Sequence, residues 1–270
     1  MLHLLAILLL LAVSCTACNI PRVRIDESSE AIDIDNYDDA AGPTIYILPA
    51  SRNAQMRRLV ERDALLSAQY ASTRVKLSSS NSYSHGLLEM PLHEYIRRIV
   101  DVPVDAAPPA SISQTPNLNP NDPHTTPPAN ETFYMFGHND GTEPWRGLSA
   151  HYLIPPCGPT CSEKGTKTLG IAGKHSGVSF HLHGPTFSEA IIGRKHWFVL
   201  PPDMQPDIER IANMTMVHWY RNIYPALPAA ERARIWECAI GPGEIMYFPT
   251  RVLHATLNLD AYNVFMSLFV

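Results

Sequence analysis

FHLHGPTFSEAIIGRKHWFVLPP, residues 180–202, places two histidines around one leucine and follows them with two apolar runs split by a glycine. On a strand, side chains alternate with a period of two, so His181 and His183 share a face. The runs on either side of Gly193 are rich in β-branched and aromatic residues and predict two strands joined by a turn. Lys195 lies among these apolar residues. A lysine enclosed in a barrel needs an anionic partner; on an open surface its amine would instead reach water along an apolar stem. Glu189 has the parity of the histidines, but Gly184 and Pro185 interrupt the strand. It therefore stands as a candidate fourth metal ligand, as an acceptor for an imidazole N–H, or as a surface carboxylate.

A third histidine, His254, ends the run GEIMYFPTRVLH at 243–254. A closed β scaffold would bring it across from the first two. Three imidazoles meeting in a barrel mouth suit Fe, Zn, Ni or Mn. The plain alternative is that His175, His181, His183, His196 and His254 are half-buried polar groups. FYMFG, HYLIPP, KTLGIAG, SGVSFHLHG, IMYFP and AYNVFMSLF are short runs bounded by glycine, proline and polar residues, and each reads as a strand. Residues 53–70 predict an amphipathic helix through Met56, Leu59, Val60 and Leu66. A second helix opens at Pro91, and residues 207–236 read as helical. The expected fold is an all-β core, a barrel or jelly roll, with added N-terminal and inserted helices. Its domain spans residues 44–270, after an acidic, extended lead-in at 18–43. Residues 101–129, DVPVDAAPPASISQTPNLNPNDPHTTPPA, are proline-rich and predict an exposed insertion.

The chain has 270 residues, 45% hydrophobic, and a net charge of −5, which gives no basic footprint for nucleic acid. Its start, MLHLLAILLLLAVSCTAC, carries a ten-residue apolar run from Leu4 to Val13, too short to span a bilayer. Small residues follow, and the segment 1–17 reads as a secretory signal peptide. No transmembrane span is expected. Cys18, Cys157, Cys161 and Cys238 then remain, with three connectivities open to them; Cys157 and Cys161 are close enough for a local bridge. The sequons at Asn130 and Asn213 are candidate glycosylation sites that fit a secreted or reticulum-lumenal chain. The C-terminal VFMSLFV is not a tetrapeptide retention signal.

GKHSGVSFHLHGPTFSEAIIGRKHWFVLPP and GEIMYFPTRVLHATLNLD together resemble a JmjC domain, of the protein 8 group within that family. RVKLSSSNSYSH at 74–85, FGHNDGTEPW at 136–145 and YPALP at 224–228 extend the match from about Thr44 to Val270, apart from the Pro-rich insertion. The resemblance implies a double-stranded β-helix of the cupin class. Active members bind Fe(II) and 2-oxoglutarate and hydroxylate protein side chains or demethylate methyl-lysine. Carried over, the iron ligands fall on His181, His183 and His254, and Lys195 grips the far carboxylate of 2-oxoglutarate. The group implied is lumenal in the endoplasmic reticulum.

Three departures bear on activity. His183 replaces the carboxylate ligand. Val178 stands where a hydroxyl often lies three residues before the first ligand, with Ser179 nearby on the opposite parity. Leu268 stands closest to an asparagine that helps hold the cosubstrate. Both changes weaken the expected 2-oxoglutarate site. Cupins outside the family offer a second motif at Gly243, Pro249, His254 and Asn258, with Arg251 where a glycine is usual. The resulting expectation is a lumenal JmjC-like protein with a metal site, its metal Fe(II) or alternatively Zn. Its catalysis is unproven or lost, and it acts with secretory-pathway proteins by interaction or regulation. The alternative is an Fe(II)/2-oxoglutarate-dependent protein hydroxylase. The oligomeric state is not legible in the sequence.

Overall fold

Gly193 turns the chain with a φ of 75°, where a side chain would collide with Asn263. The turn is the one expected, but the strands it joins, β7 (Thr186–Ile192) and β8 (Lys195–Val199), lie in different sheets. The computed structural model describes residues 18–25, 32–49, 51–79, 87–102, 133–204, 206–212 and 214–270. The expected signal segment 1–17, the Pro-rich stretch beyond residue 102, and Asn130 and Asn213 lie outside these residues.

The larger sheet also contains β1 (Arg22–Arg24), β2 (Thr44–Ile47), β3 (Arg74–Ser79), β4 (Leu87–Pro91), β5 (Phe133–Phe136), β6 (Thr166–Gly173), β10 (Glu244–Phe248) and β12 (Tyr262–Phe269). Its nine strands run in the order β1-β2-β10-β7-β12-β6-β5-β3-β4. The smaller sheet is β11-β8-β9, with β9 at Trp236–Ile240 and β11 at His254–Asn258. Only β1 and β2 are parallel among the strand pairs of the two sheets.

Alternation assigns the faces. On β12, Phe265, Ser267 and Phe269 line a cavity, while Val264, Met266 and Leu268 pack into outer apolar clusters. On β8, Lys195 and Trp197 line the same cavity. Phe198 turns away, into a cluster with Ile211, Met216 and Trp219. Short helices supply these outer layers. The expected helix over 53–70 is two pieces, α1 (Ala54–Leu59) and α2 (Arg62–Leu65), which bury Met56 and Leu65 against the larger sheet. Pro91 ends β4 and caps α3 (Leu92–Tyr95) from outside rather than opening it. The expected long helix over 207–236 is broken into short turns, and its last residue, Trp236, already belongs to β9.

The expected strand HYLIPP is not one: Pro155 and Pro156 have no N–H to donate to a ladder, and the segment joins no sheet before α4 (Gly158–Lys164). The β core is therefore present as two sheets, and the molecule as a whole is mixed α/β. Two disulfides join Cys157 to Cys161 and Cys18 to Cys238, the second fixing residue 18 to β9. Among the described residues no helix is long and apolar enough to cross a membrane.

Candidate metal centre

His181 and His254 are backbone partners, each N–H donating to the other's carbonyl at 3.0 Å. The expectation that closure of a barrel brings His254 across to the pair is replaced by something simpler. Residues 176–183 run along the free edge of β11, so the third histidine is a neighbour of the first. The pairing continues through Arg251 N–H to His183 O at 3.1 Å and through Asn258 N–H to Ser176 O at 2.8 Å. Asn258 also donates its side-chain amide to that same carbonyl at 3.0 Å, pinning the segment.

Between these points the register slips. Thr256 N–H donates to Val178 O rather than to Ser179, so one extra residue sits on this side of the ladder, as in a β-bulge. Gly177 permits the approach, because a side chain there would strike the Thr256 carbonyl. The bulge resets parity. Val178 lines the cavity, and Ser179, fully buried, sends its hydroxyl away to Met214 O at 2.5 Å.

The three histidines offer ligand nitrogens that all lie within 4.8 Å of one another. Ring centres are 4.3 Å apart for His181 and His254, 4.7 Å for His183 and His254, and 5.2 Å for His181 and His183. Each Nδ1 faces a backbone carbonyl: Ser179 O at 2.8 Å, Gly184 O at 2.9 Å and Val252 O at 2.8 Å. A carbonyl only accepts, so each Nδ1 carries the proton and each Nε2 keeps its lone pair. That is the tautomer and orientation a metal-ligating imidazole needs. Burial holds all three rings neutral: His181 is pushed down to about 4, His183 is lowered, and His254 is lowered well below its ordinary value, with its two neighbours adding to the effect.

Glu189, the candidate fourth ligand, stands apart from this group. It is buried on the other face of β7, where the Asn53 amide donates to both carboxylate oxygens at 3.1 and 2.9 Å. Burial raises its pKa and the Asn53 bonds oppose the shift. The interruption at Gly184-Pro185 is what undoes the shared parity.

Lys195 is 4% exposed and opens into the same cavity, of about 520 Å³. Burial alone lowers its pKa to about 7. Among the described residues no carboxylate pairs with it. Its ammonium lies 3.3 Å from the centre of the Phe265 ring and 5.2 Å from that of Trp197. Leu268 faces the outer cluster with Phe187 and Tyr247, so it is not the residue that meets a cavity ligand. Phe265 and Ser267 occupy that side of β12, and sequence reasoning passed over both. The alternation of β12 counted from Leu268 was the available signal.

A comparison with protein-family models found no match. Among curated proteins, human JmjC domain-containing protein 8 is 42% identical over 218 residues, covering 81% of this chain and 72% of its own. The mouse protein of the same name is 41% identical over 221 residues, covering 81% and 71%. The chain belongs to the JmjC domain-containing protein 8 family. Arginine-specific demethylase JMJ22 of Arabidopsis thaliana is 32% identical over 103 residues, 34% of this chain and 20% of its own. A solved structure of Bacillus subtilis oxalate decarboxylase aligns over 39% of this chain and 21% of its own, at 14% identity and a TM-score of 0.27, too slight to bear on the fold. In this JmjC protein 8 chain, then, the clustered donors are three neutral imidazoles, with no carboxylate among them.

Proposed function

We propose that this chain is a lumenal JmjC protein whose three histidines hold a divalent transition metal, and that it acts on secretory-pathway proteins by interaction or regulation rather than by efficient oxygenation. One observation carries the reading: three Nε2 lone pairs converge, each fixed by a carbonyl behind its own ring. Fe(II) and Zn both suit this donor set. A bound metal would supply Lewis acidity and, if iron, a centre for oxygen activation. Around it the chain does the positioning. Phe248 and Phe269 shield His183 at ring separations of 5.4 and 5.0 Å. Lys195 presents a cation to the cavity. The double-stranded β-helix typical of the family is consistent with two sheets sharing one cavity. The leader-like start and the disulfides fit an oxidising compartment.

Weak catalysis is favoured by the ligand chemistry. Three neutral ligands leave a divalent ion its full charge, and Val178 offers no hydroxyl beside it. The second reading, an Fe(II)/2-oxoglutarate-dependent protein hydroxylase, is favoured by one feature, the buried Lys195, which has no carboxylate partner among the described residues. Metal content of the glycosylated chain, followed by turnover of 2-oxoglutarate to succinate with lumenal peptides, separates the two. Stoichiometric metal lost in His254→Ala, without turnover, supports the proposal. Turnover abolished by Lys195→Ala moves the assignment to the hydroxylase. A chain that binds no metal overturns both. His183→Asp, which adds an anionic ligand, should tighten Fe(II) binding.

A further inference from the structure

Lys195 and Phe265 meet across the cavity from different sheets, and the contact is built from behind. Phe265 pairs with Gly170 on β6, and a side chain at Gly170 would collide with the Phe265 ring. The glycine thus leaves a recess in which the ring lies against the strand. Phe136 packs beside it at 5.6 Å between ring centres. The ammonium sits over the ring at 3.3 Å from its centre. Among the described residues, none of the side chains lining the cavity is acidic.

The face of an aromatic ring is electron-rich and attracts a cation, and the attraction is strongest where water is excluded. The same face repels a carboxylate. An anion brought to Lys195 therefore competes with Phe265 for the ammonium. We propose that Phe265 governs admission of carboxylates to this cavity: with the ring seated over Lys195 the anchor is closed, and carboxylates bind tightly only once the ring is displaced or removed. The proposal rests on the reading of Lys195 as the cavity's anion anchor, and it gives a reason, in the chain's own residues, for weak cosubstrate binding.

Glutarate is the probe, because it lacks the oxo group that would chelate a metal. It is titrated calorimetrically into the disulfide-bonded chain after treatment with a chelator. Phe265→Leu keeps most of the volume and removes the ring face; Gly170→Ala keeps the ring and pushes it off its recess. Both should bind glutarate about tenfold more tightly than the unaltered protein. Adding Lys195→Met to Phe265→Leu should erase the gain. Thermal melts establish that each variant is folded, and the leucine variant decides the matter alone if Gly170→Ala does not fold. In the unaltered protein the Lys195 ε-methylene protons should resonate upfield, shifted by the ring. Equal glutarate affinity with and without the Phe265 ring overturns the proposal, and so does a gain that survives Lys195→Met. Zn(II) titration of the same proteins reads the three histidines independently. A failure there strikes the proposed function, while the glutarate result still judges Phe265.

Discussion

Replacing Lys195 with methionine should stabilise the metal-free protein at neutral pH. Lys195 is 4% exposed, and burial alone lowers its pKa from an ordinary 10.5 to about 7. An unfolded chain holds this proton up to about pH 10.5, whereas the folded chain releases it near pH 7. Across that window the unfolded state binds more protons, so stability rises with pH. Below the window the full cost of the buried charge is felt. At about 1.4 kcal/mol per unit of pKa, that cost approaches ~5 kcal/mol. Contact with the Phe265 ring, which burial alone does not include, offsets about 2 kcal/mol of it and moves the release upward in pH within that window. Lys195→Met should therefore gain roughly 3 kcal/mol at pH 6–7, with the advantage shrinking toward pH 10. Urea denaturation of both proteins across pH 6–10, after chelator treatment, measures it. A variant less stable at pH 7, or an advantage independent of pH, would refute the argument that an unpaired buried charge resides there.

Two further expectations concern residues outside the cavity. Cys18→Ser opens a loop of 220 residues and should cost about 5 kcal/mol on a chain-entropy argument, against about 2 for Cys157→Ser, whose loop spans a separation of 4; chemical denaturation of each compares them. Glu189→Gln should leave Zn(II) affinity unchanged, whereas Asn53→Leu, which strips the buried carboxylate of both hydrogen bonds, should lower stability by about 2–3 kcal/mol; a metal titration and a thermal melt check the pair.

The parts of the site legible in sequence were those governed by local alternation. His181 and His183 share a face although the segment between them is no formal strand and only His181 forms a bridge. The two apolar runs around Gly193 are strands because their composition leaves little else. Illegible parts depend on register. Val178 at the cavity and Ser179 turned away were expected from the resemblance, but the bulge that allows it, against plain alternation from His181, was not legible. Leu268 and Phe265 differ by an odd number, so counting the last strand from the wrong residue reverses every side chain on it. Glu189 stayed open between ligand, acceptor and surface group, because parity cannot be carried across Gly184 and Pro185. Strand β9 was hidden because Trp236 ends a polar, helix-like stretch, and its pairing with β8 is decided by residues 40 positions away.

In a chain made in the proposed lumenal compartment, the covalent link between residue 18 and β9 would close late in synthesis. Cys18 leaves the ribosome early, and Cys238 follows 220 residues later. At typical translation speeds the interval is roughly 10–40 s. In that time Cys157 and Cys161 emerge, and either could capture the waiting thiol. Their own spacing of four residues lets them close on each other first. In the oxidising compartment proposed above, closing the short bridge first would leave Cys18 to its partner Cys238.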